Sequence, residues 1–282
     1  MSSLVNWIEK SPYSLALGVA LDELKEGSAR LCLPYIESNS NPGGVLHGGV
    51  AASLSVIAAH VVARDALGDE AGPFHTVDFQ VNYLAAAKEE AVLAEAVLDR
   101  RGKELCFVSV YVRTQAEGKP IAHANVAVRG RFAAEPAELF ESAGDHGQAD
   151  PGPMGPNIGL VPFIGNRGIS VEHMTGGTSR LVMPWRESNA DASGGLHEGA
   201  VLALLDTTGA MAAWAESGPG RFRASTPSIQ AQVLAPPARD DLVAYGRVAQ
   251  RDREIFWSDV EVVGRSDNRV CARGTVIYRI LT

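Results

Sequence analysis

The sequence predicts an α+β fold of two tandem domains, each an antiparallel sheet wrapped round one long central helix, joined as a pseudo-dimer. Three observations predict it. Residues 12–130 recur as residues 162–280 at a constant offset of 150. Each copy holds one Ala-rich stretch, 49–67 and 199–216, that is apolar nearly all round, as a buried helix is. After each stretch come four strand-like runs divided by hairpin turns, the pattern of a sheet packed on a helix.

The repeat is anchored by Pro12 with Pro162, Gly18 with Gly168, and Arg30-Leu31 with Arg180-Leu181. It continues through Glu37-Ser38-Asn39 with Glu187-Ser188-Asn189, and through Gly44, Leu46, His47 and Gly49 with Gly194, Leu196, His197 and Gly199. Solenoid repeats run about 20–50 residues, so this period duplicates a whole domain. Such a duplication commonly fuses the two protomers of a symmetric dimer. The 282 residues suffice for two ordinary domains, and a hydrophobic fraction of 46% supplies two cores. The expected division is an N-terminal domain 1–131, a linker 132–157 and a C-terminal domain 158–282. The linker is polar and rich in Pro and Gly, hence irregular or flexible.

Each copy opens with a short segment that could be helical, residues 2–10 in copy one. A strand follows at 28–34 and again at 178–184, marked by alternating apolar positions. Loops rich in Asn, Ser and Gly, 37–46 and 187–196, lead into the long helices, whose Ala, Leu and Val content favours helix. The remaining strands are expected at 74–84, 90–100, 104–113 and 121–129, and at 225–234, 242–250, 255–263 and 270–279. Arg101-Gly102, Glu117-Gly118, Arg251-Asp252 and Asp267-Asn268 mark the turns.

A net charge of −8 argues against nucleic acid and anionic membrane as partners. No apolar run is expected to reach the roughly 18–20 residues that span a bilayer. The N-terminus lacks a signal peptide's basic-then-apolar pattern, so a cytoplasmic location is the expectation. Cys32, Cys106 and Cys271 align with Val182, Phe256 and Ile121, so the three cysteines read as core fillers. No metal-ligand spacing appears, and no metal is expected.

Chemistry concentrates where the loops enter the helices. Asn41–Gly49, NPGGVLHGG, places glycines at a helix start, where backbone N–H groups are unpaired and carry partial positive charge. Such a start suits a carbonyl that becomes an oxyanion; a plain helix start with a tight glycine turn would leave the same residues. Nine residues after His197 stands Asp206, inside the otherwise apolar AVLALLDTTGAMAAW. A carboxylate there must be paired, exposed in a cleft or functional, because bare burial is costly. Thr207 or Thr208 could satisfy it. Nine residues of helix separate His197 from Asp206 by roughly 13 Å, too far to share one small reacting group. A pseudo-two-fold axis would instead lay the two helices antiparallel. Asp206 would then face Asn41, His47 and Gly48, and Val56 would face Asp191, His197 and Glu198. One complete site per chain, built from both halves, follows.

Asn41-x5-His47-Gly48-Gly49, an acid nine residues after the histidine and a Ser or Thr opening the next strand resemble the hotdog-fold acyl-CoA thioesterases of the phenylacetyl-CoA type. The resemblance spans both copies. It implies tandem hotdog domains and hydrolysis of an acyl-CoA to free acid and CoA, with CoA part of the substrate and no other cofactor. By that resemblance Gly48 polarises the thioester carbonyl, Asn41 and His47 position it, Asp206 is nucleophile or general base, and Thr226, aligned with Thr76, supplies the hydroxyl. Arg100, Arg101 and Lys103, or Arg251 and Arg253, or Arg221 and Arg223, are candidates for the CoA phosphates. Trp214, Phe74, Phe79 and Tyr83 would shape the acyl pocket, and double units of this type often assemble further, so a homo-oligomer is expected. Val56, Asp191 and Glu198 depart from the pattern, all at the mirror position, as relaxed selection on a second site would leave them. His60, one turn beyond Val56, would be packing or a remnant. Alternatives are a non-catalytic acyl-CoA-binding protein and a double-hotdog enoyl-CoA hydratase, whose D-x4-H pattern is not reproduced beside the helix.

Overall fold

The computed structural model describes residues 2–131, 140–142, 144, 147–220 and 223–281. Copy one begins with α1 (Ser2–Glu9) and α2 (Pro12–Leu17). Pro12 opens α2, the Ser11 hydroxyl accepts from the Ser14 N–H at 3.3 Å, and Gly18 ends it at φ +81°, a left-handed conformation glycine adopts freely. Then come β1 (Ala20–Lys25), β2 (Ser28–Leu33), α3 (Gly48–Leu67), β3 (Phe74–Tyr83), β4 (Val92–Arg101), β5 (Leu105–Thr114) and β6 (Pro120–Gly130). Copy two repeats the order: α4 (Gly155–Ile158), α5 (Pro162–Arg167), β7 (Ser170–Thr175), β8 (Thr178–Met183), α6 (Glu198–Ser217), β9 (Ala224–Val233), β10 (Leu242–Asp252), β11 (Ile255–Gly264) and β12 (Val270–Ile280).

The twelve strands form one antiparallel sheet in the order β1-β2-β4-β5-β6-β3-β9-β12-β11-β10-β8-β7. The two copies join at β3 and β9. Their register pairs Gln80 with Gln230, equivalent residues of the repeat, so the pseudo-two-fold axis passes between them. The sheet wraps both long helices. Every residue from Gly49 to Ala63 in α3 and from Gly199 to Trp214 in α6 is buried.

Two expectations need correction. Each copy has six strands where five were read. ALDELK of β1 buries none of its side chains, so it carries no apolar alternation, and SVEHMT of β7 has little more. Both are edge strands, defined by pairing to β2 and β8 through tight glycine turns. Second, Gly48–Leu67 is long and apolar enough to cross a bilayer by length and composition. The sheet covers it, however, and 78% of that window is buried, as in the core helix of a globular fold.

Described parts of the linker are docked. Ser142 donates its N–H to the Asn268 carbonyl at 3.1 Å, and Met174 donates to Asp150 at 2.8 Å. Cys106 and Cys271 are buried and Cys32 is half-buried; burial pushes the Cys271 thiol up to about 12, which keeps it protonated and inert.

Candidate active site

The two long helices cross through small residues. Gly49 lies against Ala203 and Gly199 against Ser53, a register that is antiparallel. The Ser53 hydroxyl donates to the Gly49 and Gly199 carbonyls at 2.7 and 3.0 Å and meets the Tyr13 hydroxyl at 2.9 Å, tying the crossing together. This crossing sets the first residue of each helix beside the middle of the other. Asp206 therefore meets Gly48. A Cβ on Gly48 would lie 3.0 Å from Asp206 Oδ2, so the carboxylate sits directly over the start of α3.

Asp206 is only 4% exposed. Thr207 and Thr208 do not satisfy it; their hydroxyls donate back to the Ala203 and Leu204 carbonyls. Thr226, at the start of β9, does, with its hydroxyl donating to Asp206 Oδ1 at 2.8 Å. Burial pushes the Asp206 carboxyl up to about 6 against the lowering effect of that hydrogen bond. Among the described residues no acceptor meets the Gly48 N–H, which the first turn of α3 leaves free. Tyr83 donates its hydroxyl to the Gly48 carbonyl at 2.9 Å, its ring 3.5 Å from where a Gly48 Cβ would be. Burial and the neighbouring Asp206 both raise the Tyr83 phenol, so it stays a neutral donor. Tyr278 also feels the Asp206 charge and accepts from the Trp214 indole at 3.2 Å. Tyr278 was missed in the sequence because β12 shows no feature there beyond strand alternation.

The other sequence candidates fall in different places. His47 is the N-cap of α3: its Nδ1 accepts from the Gly49 N–H at 3.0 Å. Burial lowers it to about 4, so the ring is neutral with its proton on Nε2. It packs on Phe163 at 4.5 Å between ring centroids, as His197 packs on Tyr13 at 4.9 Å. Asn41 closes the turn before the helix through its backbone, its N–H donating to the Val45 carbonyl at 2.7 Å. Arg101 donates Nε–H to the Ala66 carbonyl at 2.8 Å, at the far end of α3. Roughly 27 Å of helix separates that point from Gly48. Arg100 and Lys103 share that hairpin, so all three stand away from Asp206. Arg251 and Arg253 occupy the equivalent β10–β11 turn of copy two and are exposed. Arg223 is exposed just before β9, and Arg221 lies outside the described residues. Of the expected pocket aromatics, Tyr83 borders this site, Trp214 bonds Tyr278, Phe79 is a core residue, and Phe74 lines a cavity at the Glu198 end.

The geometry agrees with what comparison finds. The model of the thioesterase superfamily matches residues 43–121, which include the Gly48 helix start. A protein of Halobacterium salinarum, whose name assigns it provisionally to the esterases, is 36% identical over 121 residues, 41% of this chain and 80% of its own length. The chain belongs to the thioesterase superfamily. Human acyl-coenzyme A thioesterase 13 is 37% identical over 92 residues, 30% of this chain and 61% of that protein. A tesB protein of Mycobacterium avium subsp. paratuberculosis matches 100% of this chain and 99% of its own with a TM-score of 0.67. At 12% identity that likeness shows the fold alone, and a protein of Alicyclobacillus acidocaldarius described as having a hot dog fold matches 98% of both chains with a TM-score of 0.65 at 16% identity.

Within this thioesterase-superfamily chain the mirror position carries a hydrogen-bonded cluster of its own. Val56 stands where Asp206 would be, but Glu198 at the start of α6 reaches across with a carboxylate of its own. Its two oxygens accept from the Thr76 N–H at 3.2 and 3.1 Å, and Thr76 is the repeat equivalent of Thr226. His75 Nδ1 pairs with Glu198 Oε1, and His60 Nε2 lies 3.3 Å from Oε2 and 2.9 Å from the Thr76 hydroxyl. Burial would raise the Glu198 carboxyl, but His75 and His60 hold it well below the usual carboxylate range. His60 is thus more than plain packing, because it bonds the Thr76 hydroxyl and pairs with Glu198. Among the described residues no group of three or more His, Cys, Asp or Glu side chains is arranged to hold a metal.

Proposed function

We propose that this chain is an acyl-CoA thioesterase acting at one composite site, with the helix start of copy one as carbonyl clamp and Asp206 of copy two as the acid. The observation that carries the reading is the buried Asp206 carboxylate set over the free N–H of Gly48, with Thr226 bonded to it. Membership of the thioesterase superfamily and the kinship with acyl-coenzyme A thioesterase 13 support it.

The thioester carbonyl oxygen accepts from the Gly48 N–H at the positive end of α3, which stabilises the charge that grows on that oxygen during attack. Asp206 either takes a proton from a water that attacks the carbonyl carbon, or attacks that carbon itself to give a mixed anhydride that water then opens. In both routes the C–S bond breaks and the thiol leaves. Desolvation makes Asp206 a stronger base than a solvated aspartate, while at pH 7 it remains mostly ionised. Thr226 orients the carboxylate through Oδ1 and leaves Oδ2 toward Gly48. His47 caps the helix start, and the exposed Arg251 and Arg253 are candidates for the CoA phosphates.

The test is thiol release from a panel of acyl- and aryl-CoA thioesters. Asp206→Asn is expected to lower kcat by about 10²–10⁴-fold, the usual worth of a positioned base. It should still bind a non-hydrolysable thioether analogue. A rate equal to the unmutated chain, or a hydrated product from an enoyl-CoA in place of free acid, would overturn the reading.

A further inference from the structure

A cavity lies on the side of the helix crossing opposite Asp206, at the Glu198 end. It holds about 450 Å³, within the range of small-ligand sites. Its apolar wall includes Trp7, Val56, Phe74, Pro236 and Pro237, and Arg64 projects into it from α3. Trp7 and Phe74 clamp the guanidinium, which lies 4.3 and 4.6 Å from their ring centroids. Among the described residues the guanidinium meets no carboxylate within ion-pair distance, and its Nε is buried with no hydrogen-bond partner. Of the three acids that act on it, Asp69 is exposed on the turn after α3 and the other two are engaged elsewhere. Glu198 is held by His75, His60 and the Thr76 N–H, and Asp191 accepts from the Ser193 N–H and hydroxyl, both at 2.7 Å. Burial lowers Arg64 to about 10, opposed by Glu198, Asp69 and Asp191, so it is charged at neutral pH.

The repeat equivalent of Arg64 is Trp214, bonded to Tyr278 beside the composite site. The two sides of the crossing therefore differ in charge at two positions: one has Asp206 and Trp214 where the other has Val56 and the cation Arg64. We propose that the Arg64 cavity is a non-hydrolytic binding site for an apolar carboxylic acid, fatty or aryl, whose carboxylate pairs with Arg64 and whose tail lies on Trp7, Phe74 and Val56. This identification rests on the activity proposed above, because such an acid is its product. Hydrolysis does not occur in this cavity. No acid stands at Val56, and Glu198, saturated by its partners, places negative charge beside the position where an oxyanion would form.

The experiment is calorimetric titration of the full chain with decanoate and with phenylacetate, with decanol as the neutral control. One acid should bind per chain. Arg64→Met should weaken acid binding by about ten- to a hundredfold, the loss of a charge-assisted hydrogen bond, and leave decanol unchanged. Val56→Phe, which fills the cavity, should also weaken decanoate. Both variants should keep the thioester hydrolysis rate of the unmutated chain, and Asp206→Asn should keep acid binding. Acid affinity unaffected by Arg64→Met, affinity lost instead in Asp206→Asn, or no saturable binding of either acid by the folded chain would each overturn the proposal. Failure of the thioesterase reading shows separately, as absent thiol release in the hydrolysis assay, which the titration does not use.

Discussion

Asp206, buried, and Glu198, largely buried, are both carboxylates at the helix crossing, and their neighbours move them in opposite directions. Asp206 has an apolar helix around it and Thr226 as its hydrogen-bond donor among the described residues, so burial dominates and its carboxyl rises to about 6. Glu198 has two histidines and a backbone N–H, and is held ionised far into acid. The first therefore retains basicity and the second has none to offer. Hydrolysis should fall as pH drops through about 6, because only the ionised Asp206 serves as base or nucleophile. Thr226→Val removes the one contact that lowers this carboxyl, so the acid limb of the pH–rate profile should move to higher pH. The variant should lose most of its rate near pH 6 and least well above it. A limb that stays in place or moves toward acid would show that Thr226 does not hold the reacting carboxylate.

At the scale of elements, the helix crossing decides both the Asp206–Gly48 contact and the Arg64 cavity. A Cβ on Gly49 would lie 2.6 Å from Ala203 Cβ and 2.9 Å from its Cα, and backbone cannot swing aside as a flexible side-chain end does. Gly49→Ala should force the helices apart and cost about 1–3 kcal/mol, the range for overpacking, read as a lower Tm together with slower thioester hydrolysis. An unchanged Tm would mean that the crossing is more compliant than its contacts suggest. Glu198, at the start of α6, tests the other end of the same packing. Its folded carboxyl lies below the ordinary 4.5, so its contribution to stability is full above that value and is lost as pH falls through the folded one. Glu198→Gln should cost about 2 kcal/mol at pH 7, the worth of hydrogen bonds to a charged group, and the gap to the unmutated chain should narrow below pH 4.5. A gap independent of pH would place the loss in packing, not charge. The long helices were legible because their burial is total and their composition shows it. The edge strands β1 and β7 were not, because pairing without burial leaves no pattern in ALDELK or SVEHMT. The Arg64 cavity was illegible for another reason: Trp7, Arg64, Phe74 and Glu198 come from four separate elements, and no spacing links them.

The whole molecule is two copies related by an axis that passes between Gln80 and Gln230 in the sheet, and its halves differ where the helices meet. The constant offset of 150 made the pseudo-dimer and the Asp206–Gly48 pairing readable from sequence, because symmetry converts one helix-entrance motif into a contact across the interface. Symmetry also set Val56 opposite Glu198, an exchange of an acid between opposite sides of one gap, but it could not convey that His75, His60 and the Thr76 N–H bind Glu198. This exchange makes the two halves non-interchangeable. Copy one alone has the β3 edge free, and the β3–β9 register is symmetric about Gln80, so two such halves can pair through it. Each Gly48 would then face Val56, and no acid would be present. Two copies of the second half would set each Asp206 against Glu198, whose negative charge disfavours an oxyanion at that helix start. Only a mixed pair places Asp206 over Gly48. Residues 1–131 and 158–282, produced separately, should each release no thiol from an acyl-CoA that the intact chain cleaves, and mixing them should restore release with saturation at equal amounts. Hydrolysis by the second half on its own would remove Gly48 from the mechanism, and hydrolysis by the first half on its own would remove Asp206.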